Sequence, residues 1–183
     1  MTLKECCQQI GRGCCTLVSR RSLGFKLRDE TLTFFHLTEE LLLFGNNFAP
    51  QPLPQSLFNL FNLTYLDLSE GAFTGNLPAL DNLQMLEKLY LNDNQLQGPL
   101  PASLPPLLED IWLNNNSFSG GIPSLFGANS ANLSTVLLHD NRLNGTMATG
   151  LCDKALTRLE ADCLNSTLPD YVACPSDCCT ACF

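Results

Sequence analysis

The chain has 183 residues, a formal net charge of -8, 45% hydrophobic residues and ten cysteines. Its length suffices for one elongated domain with a continuous core. An acidic chain with no uninterrupted apolar stretch of the length a membrane span needs is not built to bind nucleic acid, to bind anionic lipid, or to cross a bilayer as a helix.

Residues 1–36 form the first segment. It holds Cys6, Cys7, Cys14 and Cys15 and six of the ten basic residues, so its first 30 residues carry about +3 and the rest of the chain about -11. No apolar run in it matches a secretory leader, which needs about 7 to 15 such residues. Two readings stay open for its cysteines. Even numbers of cysteine at both ends of the chain permit disulfide-bonded caps, and a basic segment with acylated cysteines would be a membrane tether.

From residue 37 to residue 151 the chain repeats itself. The spacing is Leu63-x-x-Leu66-x-Leu68, Leu86-x-x-Leu89-x-Leu91, Leu108-x-x-Ile111-x-Leu113 and Leu133-x-x-Val136-x-Leu138, preceded by an irregular copy led by Thr38 and followed by the degenerate Leu156-x-x-Leu159-x-Ala161. Leading positions from Leu63 onward fall 22 to 25 residues apart. That period, with one short strand per copy, predicts a stacked solenoid. Residues two apart on a strand share a face, so Leu89 and Leu91 turn inward and Tyr90 outward. Each buried Leu or Phe contributes about 1.5 to 3 kcal/mol, and only neighbouring copies can cover it. Asn46, Asn94, Asn116 and Asn141 share one repeat position, with Gly71 in the second copy, and are expected to satisfy backbone groups where the chain leaves each strand. Phe48, Phe73, Leu96, Phe118 and Leu143, two residues further on, are expected to form an internal spine.

Residues 152–183 make the closing segment: the degenerate repeat and a cysteine-rich cap with Cys152, Cys163, Cys174, Cys178, Cys179 and Cys182. Six cysteines allow 15 pairings, and Cys174-x3-Cys178-Cys179-x2-Cys182 also has the look of a zinc site. The sequons at Asn62, Asn115, Asn132, Asn144 and Asn165 add to the cysteines in favour of an oxidising, secreted or extracellular setting. A glycan on Asn115, at the concave rim, would obstruct binding there.

The phrase Leu-x-x-Leu-x-Leu-x-x-Asn-x-Leu-x-Gly-x-Leu-Pro, complete at Asn94-x-Leu96-x-Gly98-x-Leu100-Pro101, resembles the plant-type extracellular leucine-rich repeat of receptor ectodomains and polygalacturonase-inhibiting proteins. The Cys-rich tail also resembles the C-terminal caps of secreted diatom leucine-rich-repeat proteins. The resemblance implies an α/β solenoid, a short right-handed superhelix with a parallel sheet on its concave face, and a non-enzymatic recognition role without cofactors.

On that face the repeat phase sets three outward columns. The central one is Leu42, Asp67, Tyr90, Trp112, Leu137 and Glu160; the preceding one is Glu40, Tyr65, Lys88, Asp110, Thr135 and Arg158; the following one is Phe44, Ser69, Asn92, Asn114, His139 and Asp162. The candidate ligand-binding set is Tyr65, Lys88, Tyr90, Asn92, Asp110, Trp112, Asn114 and His139. Aromatic side chains ringed by polar groups anchor protein interfaces and stack on sugars, although neighbouring aromatics also stabilise a sheet by cross-strand packing alone. Glu70, Asp93 and Asp140 form a broken acidic rim without the convergence a calcium site needs. No catalytic motif is present; His139 beside Asp140 suggests acid-base chemistry only if the strand has already ended. The expected function is binding of a protein, peptide or glycan. An architectural role in a cell wall or assembly is the alternative, and an ice- or mineral-binding role would need more regular outward columns.

Overall fold

The alternation Leu-x-Leu produces three-residue strands whose middle residue faces inward. The computed structural model describes residues 14–16 by their main chain, and residues 27, 38–46, 48–164, 167–175 and 178–183. Expectations for Cys6, Cys7, the side chains of Cys14 and Cys15, and the Asn165 sequon fall outside these residues. The concave sheet contains β1 (Cys14–Thr16), β2 (Glu40–Leu42), β4 (Tyr65–Asp67), β6 (Lys88–Tyr90), β8 (Asp110–Trp112), β10 (Thr135–Leu137), β12 (Arg158–Ala161) and β14 (Ala181–Cys182), all parallel and in that order. Leu41, Leu66, Leu89, Ile111, Val136 and Leu159 are fully buried. Register follows the repeat phase: Tyr65 pairs with Lys88, Lys88 with Asp110, and Tyr90 with Trp112.

The turns that leave β2, β4, β6, β8 and β10 each use a left-handed residue. Gly45, Glu70, Asp93, Asn115 and Asp140 have φ between 53° and 63°. The rim acids therefore occupy a backbone position that the repeat demands, one that Asp and Asn tolerate better than most residues and Glu less well. The asparagine that follows closes the turn. Asn94 donates to Leu91 O and Asn92 O in its own repeat and to Leu68 O in the preceding one, and its Oδ1 accepts from Gly71 N and Phe73 N. Asn116 and Asn141 repeat the pattern. Because each amide also serves the copy before it, Gly71 leaves only part of the ladder unmade.

The sequence reading assigned one strand per repeat, and the fold has two. A second parallel sheet runs along the flank: β3 (Gln51–Pro52), β5 (Phe73–Asn76), β7 (Gln95–Gly98), β9 (Ser117–Gly121), β11 (Arg142–Thr146) and β13 (Val172–Ala173). Its inward residues are the expected spine, with Phe73, Leu96 and Phe118 fully buried. Gly98 sits at φ 78°, a left-handed backbone position that favours glycine, and a Cβ there would also displace the exposed Asn76 side chain, whose Oδ1 would lie 2.7 Å away. Among the described residues the helical elements are short, a 3₁₀ turn at Gln55–Asn59 and the single-turn helix α1 (Thr149–Cys152).

The C-terminal end is closed covalently. Cys152 bonds Cys178, Cys163 bonds Cys182 and Cys174 bonds Cys179. These bridges answer the zinc reading: Sγ atoms of Cys163, Cys174 and Cys182 lie within 4.8 Å of one another, but each is committed to a disulfide. Asp162 finishes the last turn, its carboxylate accepting from Asp140 N at 2.8 Å and Asn141 N at 3.0 Å. In the inner repeats those two N–H groups donate to backbone carbonyls of the next copy, as Asp93 N does to Asn114 O.

Candidate functional site

Five of the eight candidate residues come together on β4, β6 and β8. The Tyr90 and Trp112 rings stack with centroids 4.3 Å apart and planes at 22°, and Tyr65 meets Tyr90 edge-on at 5.2 Å. Lys88 Nζ lies 5.7 Å from the centre of the Tyr65 ring, and Tyr90 donates weakly to Asp110 Oδ2 at 3.5 Å. Strand spacing of about 4.8 Å brings equivalent side chains to stacking distance, so the row follows directly from register. Such ring pairs contribute about 0.5 to 1.5 kcal/mol beyond the area they bury. Tyr90 and Trp112 turn one face toward each other, so those two faces are covered.

The electrostatics of the row are negative. Burial, reinforced by Asp110, raises the Tyr90 phenol well above its ordinary range; burial and then Asp67 raise that of Tyr65. Asp67 is itself 8% exposed, its Oδ1 accepting from Ser69 N and Ser69 Oγ.

Asn92 and Asn114 stand beside the row in the adjacent column. Asn92 Nδ2 donates to Asp93 Oδ2 at 2.5 Å, and Asn115 Nδ2 donates to Asp93 Oδ1 at 2.6 Å. Three polar atoms here are buried without a hydrogen-bond partner: Trp112 Nε1, Asn92 Oδ1 and Asn114 Oδ1.

His139 takes a different place from the one its column implies. It is stacked on Phe183 at 4.3 Å, with Nδ1 3.4 Å from Glu160 Oε2 and Nε2 3.8 Å from Asp140 Oδ2. β10 has ended by His139 and Asp140 is left-handed, which is how two adjacent residues come to face each other. The ring is covered by the cap and Nδ1 is misaligned for a hydrogen bond to Glu160, so the pair has the contacts of a packing site. Two further outward positions are covered: Leu137 is 4% exposed and Glu160 7%, the latter gripped by Arg158 through Nε at 3.0 Å and Nη2 at 2.8 Å. The sequence reading missed Phe183, because no spacing links the chain's last residue to residue 139.

Comparison with known proteins agrees with the repeat geometry. The family model described as Leucine Rich Repeat matches residues 85–107 and 107–129. Receptor-like protein 39 of Arabidopsis thaliana is 37% identical over 83 residues, covering 44% of this chain and 9% of that protein. This chain thus spans about a tenth of the length of the curated relatives it matches. Among solved structures, the ectodomain of the Arabidopsis thaliana membrane receptor kinase GASSHO1/SCHENGEN3 in complex with Casparian strip integrity factor 2 superposes with a TM-score of 0.74 at 30% identity, over 82% of this chain and 18% of that one. The plant peptide hormone receptor RGFR1 in complex with RGF2 gives 0.55 at 27% identity, over 69% and 24%. A plant ice-binding protein gives 0.62 at 25% identity, over 69% and 41%. With its paired sheets, asparagine ladder and disulfide-stapled end, the chain is a leucine-rich-repeat solenoid whose repeats are similar to those of plant receptor ectodomains and whose C-terminal cap is Cys-rich.

Proposed function

We propose that this chain is an extracellular, non-enzymatic recognition module that binds a peptide or protein through its concave face. The contacts are Tyr65, Lys88, Tyr90, Asn92, Asp110, Trp112 and Asn114; His139, covered by Phe183, is left out of the set. The observation that carries the reading is the continuous row Tyr65–Tyr90–Trp112, half-exposed on a rigid parallel sheet. Aromatic anchors held rigidly bind with little loss of side-chain freedom. The similar structures of a plant peptide hormone receptor in complex with RGF2 and of a receptor kinase ectodomain in complex with Casparian strip integrity factor 2 support a peptide or protein ligand over a glycan. Three disulfides support an oxidising compartment. The ice-binding neighbour shares the scaffold, but the outward columns here mix acids, aromatics, amides and a lysine and offer no regular array.

The test is affinity capture from source material with the oxidised protein and its Tyr90→Ala/Trp112→Ala variant, each checked for native circular dichroism. Truncating two anchors should weaken a concave ligand by about 2 kcal/mol or more for each, enough to lose it from capture. The same partners on both proteins would move the working surface to the flank or the caps, the architectural alternative.

A further inference from the structure

We infer that the ligand of the concave row is a cationic peptide segment, seated with an arginine or lysine side chain at the Asp110 carboxylate beside Tyr90. This rests on the concave-face reading above and adds to it the ligand's charge and its seat.

The first observation is the field. The chain carries -8 overall. At the row itself Glu40, Asp67 and Asp110 all act to keep the tyrosines protonated, after the larger effect of burial. Carboxylates that add to burial in holding two phenols protonated mark a spot of negative potential.

The second is that the face does not neutralise this field with its own cations. Arg158 is committed to Glu160 at 2.8 Å, and Lys88 lies over Tyr65. Among the described residues neither Asp67 nor Asp110 forms an ion pair. Asp67 is turned to Ser69, whereas the half-exposed Asp110 has only the long contact from Tyr90 at 3.5 Å, which leaves most of its acceptor capacity open.

The third is the balance of the unmet hydrogen bonding, two acceptors against the one donor Trp112 Nε1. Asn92 Oδ1 and Asn114 Oδ1 are acceptors without donors on the neighbouring column. Both side chains are half-exposed, so a rotamer change presents those oxygens to a ligand. A guanidinium supplies five N–H donors in a planar fork, and the methylene stem of an arginine suits the apolar ring carbons of a half-exposed aromatic row. Stacking of the guanidinium between Tyr90 and Trp112 is excluded, because those two rings already face each other at 4.3 Å. The charge is therefore held at Asp110, with the stem lying along the row.

Trp112 is the chain's only tryptophan, so its emission reports on this seat. The experiment titrates the oxidised protein with three peptides of equal length, acetyl-Arg-Gly-Arg-Gly-Arg-amide and its Ser and Glu counterparts, following Trp112 emission and heat of binding. The arginine peptide is expected to bind saturably and with strong salt dependence, the others not. Asp110→Asn should weaken it about three- to tenfold, the range for a partly exposed charge pair. Asp153→Asn, which removes the same charge from an exposed site beside α1, should leave it unchanged. Equal losses in both variants would mean diffuse attraction and overturn the inference. So would equal binding of the serine peptide, or no binding of any peptide by folded protein. In those cases a partner captured by the parent and lost by Tyr90→Ala/Trp112→Ala would still uphold the concave-face reading.

Discussion

Single side chains carry much of this structure, and Gly71 shows how their roles differ from the repeat consensus. A consensus argument would replace it by Asn to complete the ladder. In place, however, a Cβ would lie 2.5 Å and 2.6 Å from ring carbons of Phe73 and 3.0 Å from Leu68 O. Phe73 is fully buried against Phe48, so its ring has little room to move. Asn94 already reaches back to Leu68 O, Gly71 N and Phe73 N, which removes much of the benefit. Gly71→Asn is therefore expected to destabilise by about 1 to 3 kcal/mol, the usual cost of overpacking, as a lower urea midpoint would show. At Tyr90 the sign of a pH effect follows from burial and Asp110, which raise the folded-state phenol. A raised acid keeps its proton in the fold while the unfolded chain loses it, so the stability is whole below about pH 10 and falls as pH rises from there toward the folded value. Tyr90→Phe removes the titrating group, and its stability should decline less than the parent's between about pH 9 and pH 11 in denaturant melts.

At the scale of the element, what was legible depended on whether a strand's sequence advertises its pairing. β4, β6, β8 and β10 alternate leucines or their β-branched equivalents with outward residues, and period two fixes both face and register. The flank strands read Phe-Thr-Gly-Asn, Gln-Leu-Gln-Gly and Ser-Phe-Ser-Gly-Gly, rich in residues that disfavour strands. They pair because stacking of the repeats sets them alongside one another, a tertiary effect that no local pattern records. Burial of Leu137 and Glu160 was hidden for a similar reason, since alternation places them outward and the closing elements then cover that end. The cap's own contact at this end is testable. Asp162 supplies to the last turn the two acceptors that the next repeat would otherwise provide. Asp162→Ala should cost about 1 to 3 kcal/mol for leaving two donors unpaired. Amide exchange of Asp140 and Asn141 should quicken beyond that of Asp93 and Asn94; uniform exchange across both turns would count against this capping role.

On the scale of the whole molecule, a solenoid is held by interfaces between neighbours, so its ends are where it opens first. Among the described residues, the bridges fall at the C-terminal one. Cys163–Cys182 pins β14 to the concave sheet over a separation of 19 residues, and Cys152–Cys178 ties α1 to the tail over 26. Loop-closure entropy gives each of these about 3 to 3.5 kcal/mol, with less in sum because the loops overlap. The third, Cys174–Cys179, closes a separation of only 5 and adds about 2 kcal/mol at most. Reduction should therefore release β14 and with it Phe183, uncovering His139 and Glu160 before the inner repeats melt. Thermal denaturation with and without a dithiol reductant, followed both by circular dichroism and by Trp112 emission, checks this. A lower and broader transition is expected, with the cap lost ahead of the row, because Trp112 lies two strands inward from β12 in the sheet. Identical melts under both conditions would show that packing alone holds the end of the solenoid.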